Sequence, residues 1–197
     1  MITGPDGSIY VSDGHGGQGM TSRQAMAAGL EAGATARILK FSADGTFIKE
    51  WGQIGTLHGE FRTPHALAFD SQGRLFVADR GNHRIEIFDQ DGNYLDSRYS
   101  YGRISGLFIT GDDMLYAIDS ESSMTSHQNW KNGVRIGHVD EDRITGYIPP
   151  FDAETRPYQG AAGEGVAVDA DGNVFAAEGP NSLRFAGGAF TKYAVAP

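Results

Sequence analysis

The chain has 197 residues, of which 40% are hydrophobic and 21% charged, a globular balance that argues against a disordered chain. Its net charge of −9 leaves no basic stripe to neutralise phosphates, so neither nucleic acid nor a membrane is expected as a partner. Cysteine is absent, so disulfides and thiolate chemistry are unavailable and the compartment stays open. The opening MITGPDGSIYVSDG has no basic and apolar leader pattern, and no apolar run approaches the ~20 residues of a membrane span.

In chain order, four passages share one pattern: GPDGSIYVSD (4–13), AFDSQGRLFVAD (68–79), ITGDDMLYAID (109–119) and AVDADGNVFAAE (167–178). Each reads as a strand, an Asp-x-x-Gly type turn, and a second strand closed by a small residue and an acid. A second pattern follows the first three, in ARILKFSADGTFIKEW (36–51), HRIEIFDQDGNYLDSR (83–98) and VRIGHVDEDRITGYI (134–148). There Arg37-Ile38, Arg84-Ile85 and Arg135-Ile136 open equivalent strands, and Asp44-Gly45 and Asp91-Gly92 signal hairpins. Phe41 and Phe88 lie about 47 positions apart, within the range of a propeller-blade repeat.

Each unit is therefore a meander of about four short strands with period-2 alternation (Ile9/Val11, Leu75/Val77, Ile85/Ile87). A meander cannot bury both faces alone, so neighbours must stack. The expected fold is all-β: one β-propeller domain over 1–197 with blades at about 1–52, 60–102, 103–150 and 160–197. The first blade is expected to lack its inner strand, because Met1 to Pro5 leaves little room for it. Four blades suggest a part of a larger ring, or a ring closed by self-association.

Two insertions interrupt the repeat after Asp13 and Asp119. The first contains TSRQAMAAGLEAG (21–33), which reads as a short helix with Thr21 or Ser22 as N-cap. Both insertions sit between the second and third strands of their units, so both loops, 14–36 and 120–133, project from one rim.

The segment FRTPHALAFDSQGRLFVADRGNHRIEIFDQDGNYL (61–95) looks like an NHL repeat, and nearly the whole chain follows that blade pattern. Within that family it is most similar to the lyase domain of peptidylglycine α-amidating enzymes. The resemblance implies a six-bladed propeller that splits a peptidyl-α-hydroxyglycine into an amide and glyoxylate, using a three-histidine zinc site with arginines and a tyrosine. Pro64-His65 resembles the family's zinc-binding Pro-His pair, and Val77-Ala78-Asp79-Arg80 resembles the stretch that ends in an active-site arginine. The pattern also departs: His15 follows Ser12-Asp13-Gly14 where the family has tyrosine, and Glu164 stands where another zinc histidine would be.

Six residues follow as candidates. His65 opens an inner strand, where strands of all blades converge, and reads as a metal ligand with Glu164, its positional twin, as the second. Ser105 is the twin in the third unit and a poor metal ligand. Arg80 is suited to clamp a carboxylate bidentately. His15 reads as a general base near neutral pH, and Arg103 as a further catalytic group near the same rim. The implied cofactor is zinc, with manganese or iron as alternatives and calcium allowed. His127 with Trp130 reads as a cap over a ligand, while His58, His83 and His138 read as structural. The expected partner is a small molecule or peptide at the propeller axis, with homo-oligomerisation left open. Three functions compete: a metal-dependent lyase, a metal-dependent ester or lactone hydrolase, and a non-catalytic scaffold for a peptide or protein.

Overall fold

In the computed structural model the described residues are 1–15, 23–24, 36–150, 163–177 and 190–195. They divide into two compact units, Met1–Arg98 and Tyr99–Pro197. The helix expected over 21–33 and most of the loop 14–36 lie outside the described residues.

The first unit holds two antiparallel four-stranded sheets. One is β1 (Ile2–Thr3), β2 (Ile9–Asp13), β3 (Arg37–Phe41) and β4 (Phe47–Trp51) in meander order. The other is β5 (Pro64–Phe69), β6 (Leu75–Asp79), β7 (Arg84–Phe88) and β8 (Tyr94–Arg98). The second unit holds a third such sheet, β9 (Ile104–Ile109), β10 (Met114–Asp119), β11 (Gly133–His138) and β12 (Ile144–Ile148). Beside it β13 (Gly165–Val168), β14 (Val174–Ala177) and β15 (Thr191–Tyr193) form three strands of a further sheet. These are blades of the β-propeller type. The first blade does not lack its inner strand: Ile2 pairs with Tyr10 and Thr3 with Ile9, since two residues suffice for one rung of an antiparallel ladder.

The Asp-x-x-Gly turns work by local capping. Asp70 Oδ1 accepts from the N–H groups of Gln72 and Arg74 while Gly73 N–H returns to the Asp70 carbonyl. The turn at 169–173 repeats this, with Asp171 and Asn173 N–H on Asp169 Oδ1 and Gly172 N–H on its carbonyl. The aspartate supplies the acceptor that the unpaired turn amides require.

The Arg-Ile openings have a structural purpose. Each arginine pairs with the aspartate that closes the preceding strand: Arg37 Nε with Asp13 at 3.0 Å, Arg84 Nε with Asp79 at 2.9 Å, and Arg135 with Asp119 at 3.2 Å. Asp79 is fully buried and also accepts from Arg62 N–H and Asn82 Nδ2. Burial nevertheless pushes its carboxyl up to about 7, against those three donors. Asp119 is likewise raised by burial, against donors from Ser122, Arg135 and Arg103.

Period-2 alternation then sorts the side chains. In the first unit Tyr10, Ile38, Phe61, Leu75, Val77 and Phe88 form one core between neighbouring blades. Each such buried aliphatic or aromatic side chain contributes about 1.5–3 kcal/mol. In the second unit Ile118, Val134, Val174 and Ala176 do the same. Close approach of the blades there requires Gly106, where a Cβ would stand 2.9 Å from Gly165 Cα.

Candidate functional site

Pro64 opens β5 against Asp79, and the next regular pair is Leu67 with Val77, so one extra residue is accommodated at His65–Ala66. Such a bulge re-aims a side chain at the end of a strand. It follows Thr63, which is buried and held at φ 64°, a left-handed conformation that costs a β-branched residue of order 1–3 kcal/mol. The surrounding hydrogen bonds hold it there. Arg80 N–H donates to the Thr63 carbonyl at 3.2 Å, and Gly81 N–H to the Arg62 carbonyl at 2.6 Å. The short 3-10 turn Arg80–Asn82 is thereby fastened to the entry of β5.

The neighbouring blade brings the third member. Gly14 lies directly against the Pro64 ring, so close that a Cβ there would overlap Cδ. Ser12 Oγ donates to the His65 carbonyl at 3.0 Å. These two contacts set the end of β2 beside the start of β5 and deliver His15 to His65. The two imidazoles meet edge to face, with centroids 5.1 Å apart and planes at 76°. Arg80, only 2% exposed, places its guanidinium nitrogen 3.3 Å from His15 Nε2. A guanidinium has donors only, so His15 accepts through Nε2 and carries its proton on Nδ1.

Three of the candidates, His15, His65 and Arg80, are thus brought into contact within the first unit. The other two charged candidates belong to the second. Arg103 is half-buried; its N–H donates to Asp119 and its Nε to the Glu121 carbonyl at 3.1 Å. Glu164 is exposed and directly precedes β13. Ser105 repeats the bulge of His65, since Ile104 pairs with Asp119 and Gly106 with Ile118. Its hydroxyl lies 2.6 Å from that of Ser120, which follows Asp119 as Arg80 follows Asp79. The third blade therefore replaces the His-Arg combination by a hydroxyl pair.

Sequence reasoning missed Ser12, Thr63 and Ser120; only the Thr-Pro step, which disfavours helical backbone, carried a signal. His58, read as structural, is held by two contacts. That ring stacks on Tyr94 with centroids 4.1 Å apart, and its Nδ1 lies 3.3 Å from the fully buried Glu86.

The two metal ligands expected from the family resemblance, His65 and Glu164, belong to different units. Among the described residues no group of three or more His, Asp or Glu side chains is placed to hold a metal ion. The present cluster is suited to an anion.

Residues 61–88 match the NHL repeat family. NHL repeat-containing protein 3 of Homo sapiens is 38% identical over 85 residues, 43% of this chain and 20% of that protein. Peptidyl-glycine alpha-amidating monooxygenase B of Xenopus laevis is 29% identical over 178 residues, 86% of this chain and 18% of that protein. The chain thus spans about a fifth of the length of these curated relatives. Among solved structures, a gluconolactonase of Xanthomonas campestris superposes with a TM-score of 0.57 at 18% identity, covering 91% of this chain and 53% of that one. A virginiamycin B lyase of Staphylococcus aureus gives 0.54 at 16% identity, covering 90% and 47%. At these identities the likeness is one of fold. The chain is a partial β-propeller that carries an NHL repeat.

Proposed function

We propose that this chain is part of a lyase-like propeller enzyme whose small carboxylate substrate, of the α-hydroxyglycine type, is held at His15, His65 and Arg80. The observation that carries the reading is the contact of Arg80 with His15 beside His65. The 29% identity to the Xenopus amidating monooxygenase over most of this chain supports it.

The substrate carboxylate takes the guanidinium of Arg80, a charge-assisted and directional pairing. That draws the Arg80 N–H away from His15 and frees the Nε2 lone pair. His15 then accepts the hydroxyl proton of the substrate as its C–O bond becomes C=O. The C–N bond breaks, its electron pair goes to the amide nitrogen, and the proton is returned there, giving an amide and glyoxylate. His65, perpendicular to His15, limits the rotation of that ring.

The test is glyoxylate release from α-hydroxyhippurate by wild type, His15→Gln and Arg80→Gln, with metal content read by elemental mass spectrometry. Release lost in both variants and indifferent to chelator supports the reading. Release abolished by chelator alone would replace it with a metal-dependent lyase. Release by neither wild type nor metal-loaded protein, with saturable carboxylate binding that depends on Arg80, would reduce the cluster to a binding site. The last outcome is the scaffold alternative. A lactone assay run in parallel covers the hydrolase alternative, which rests on fold likeness alone.

A further inference from the structure

The described loop 120–133 of the second unit builds a layered stack. His127 lies on Trp130 with centroids 4.3 Å apart and planes at 18°. The Arg135 guanidinium stands 4.7 Å over the Trp130 ring and 5.5 Å over that of Tyr147. The order is therefore imidazole, indole, guanidinium, phenol. Two residues of the loop, His127 and Asn129, hold left-handed backbone at φ 69° each, a conformation that Asn and His adopt more readily than most non-glycine residues. Tyr147 donates to the Asn132 carbonyl at 2.5 Å, which ties the stack to the loop. The Asn132 amide is 3% exposed, and neither its Oδ1 nor its Nδ2 has a hydrogen-bond partner.

Against this stack opens a cavity of about 310 Å³, lined by Asn129, Trp130, Lys131, Arg135, Ile144 and Tyr147. Its wall carries two cations, two aromatic rings and no acid, in a chain whose net charge is −9. The Arg135 charge is answered by Asp119, so the exposed Lys131 is the cation available to a ligand. Flat apolar surface beside an available cation selects a flat anion.

We propose that this cavity binds a small aromatic carboxylate, its ring against Tyr147, Ile144 and the Trp130 edge, its carboxylate on Lys131. The site shares no residue with the His15–His65–Arg80 cluster and does not depend on the function proposed for it.

Benzoate, benzamide and benzamidine have nearly one shape and carry negative, no and positive charge, so a titration with each separates charge from burial. The Trp130 indole N–H signal is the readout, told from that of Trp51 by substitution. Benzoate should shift it saturably, about two- to five-fold more tightly than benzamide, with benzamidine weakest; that ratio is the range of one exposed ion pair. In Lys131→Gln, whose side chain is exposed and whose fold is preserved, benzoate should fall to the benzamide level while benzamide is unchanged. Arg80→Gln should alter neither. Equal binding of the three probes, no saturation, or unchanged benzoate preference in Lys131→Gln would overturn the proposal.

Discussion

Arg80 donates to Nε2 of His15, 65 residues away in sequence, at 3.3 Å. Because the arginine has no acceptor, this bond fixes the imidazole tautomer with its proton on Nδ1. His15 is exposed whereas Arg80 is buried, so the buried partner imposes the orientation.

This tautomer is measurable. Imidazole nitrogen shifts of His15 at pH above 8 should report protonated Nδ1 in wild type and a mixture of tautomers in Arg80→Gln. Arg80→Gln should also cost about 1–3 kcal/mol, because buried hydrogen bonds are lost. A wild-type ring already mixed would show that the bond does not persist in solution.

Gly14 is where the two blades of the first unit touch at the site. Gly14→Ala drives a methyl into the Pro64 ring and should cost about 1–3 kcal/mol. Urea unfolding reads the loss, and the cross-peaks between His15 and His65 should weaken with it. A substitution that costs under 0.5 kcal/mol would mean that the contact is loose.

One repeated pair gives two different energies. Asp79→Ala leaves Arg84, Asn82 and the Arg62 amide without their buried acceptor and should cost about 3–5 kcal/mol. Asp13→Ala removes the equivalent partner of Arg37 where the side chains are 39% and 28% exposed, and should cost under about 1 kcal/mol. The two unfolding midpoints, compared side by side, check the contrast. Equal losses would show that burial does not set the value of this pair.

His127 predicts a pH dependence. Burial, then the charges of Arg135 and Arg103, hold its pKa below the ordinary 6.5. The unfolded chain therefore takes up the proton first as pH falls, so the His127 contribution is complete above pH 6.5 and is lost on acidification below it. Melting temperature followed from pH 7.5 to 5.0 should fall more in wild type than in His127→Gln. Parallel curves would remove His127 as the cause.

Much of the blade architecture was legible in the residues. Period-2 alternation identifies strands because side chains of a strand alternate between faces, and the Asp-x-x-Gly turns announce themselves because the aspartate caps its own turn amides. Other features were illegible. The two-residue β1 is too short to leave a pattern. The bulge at His65 and the left-handed Thr63 follow from hydrogen bonds to the 3-10 turn at Arg80–Asn82, which no local preference encodes.

The arginine repeat marks the boundary most clearly. Sequence alone determined that Arg37, Arg84 and Arg135 open equivalent strands, and it named His15, His65 and Arg80 as candidates. Only the tertiary structure decided that the first three serve the fold, each paired with the aspartate that closes the preceding strand. It also decided that Arg80 turns to His15 while Asp79 takes Arg84. The physical reason is that spacing fixes which face of a strand a side chain occupies, while its partner is chosen by what burial and a neighbouring strand or blade bring within hydrogen-bonding distance.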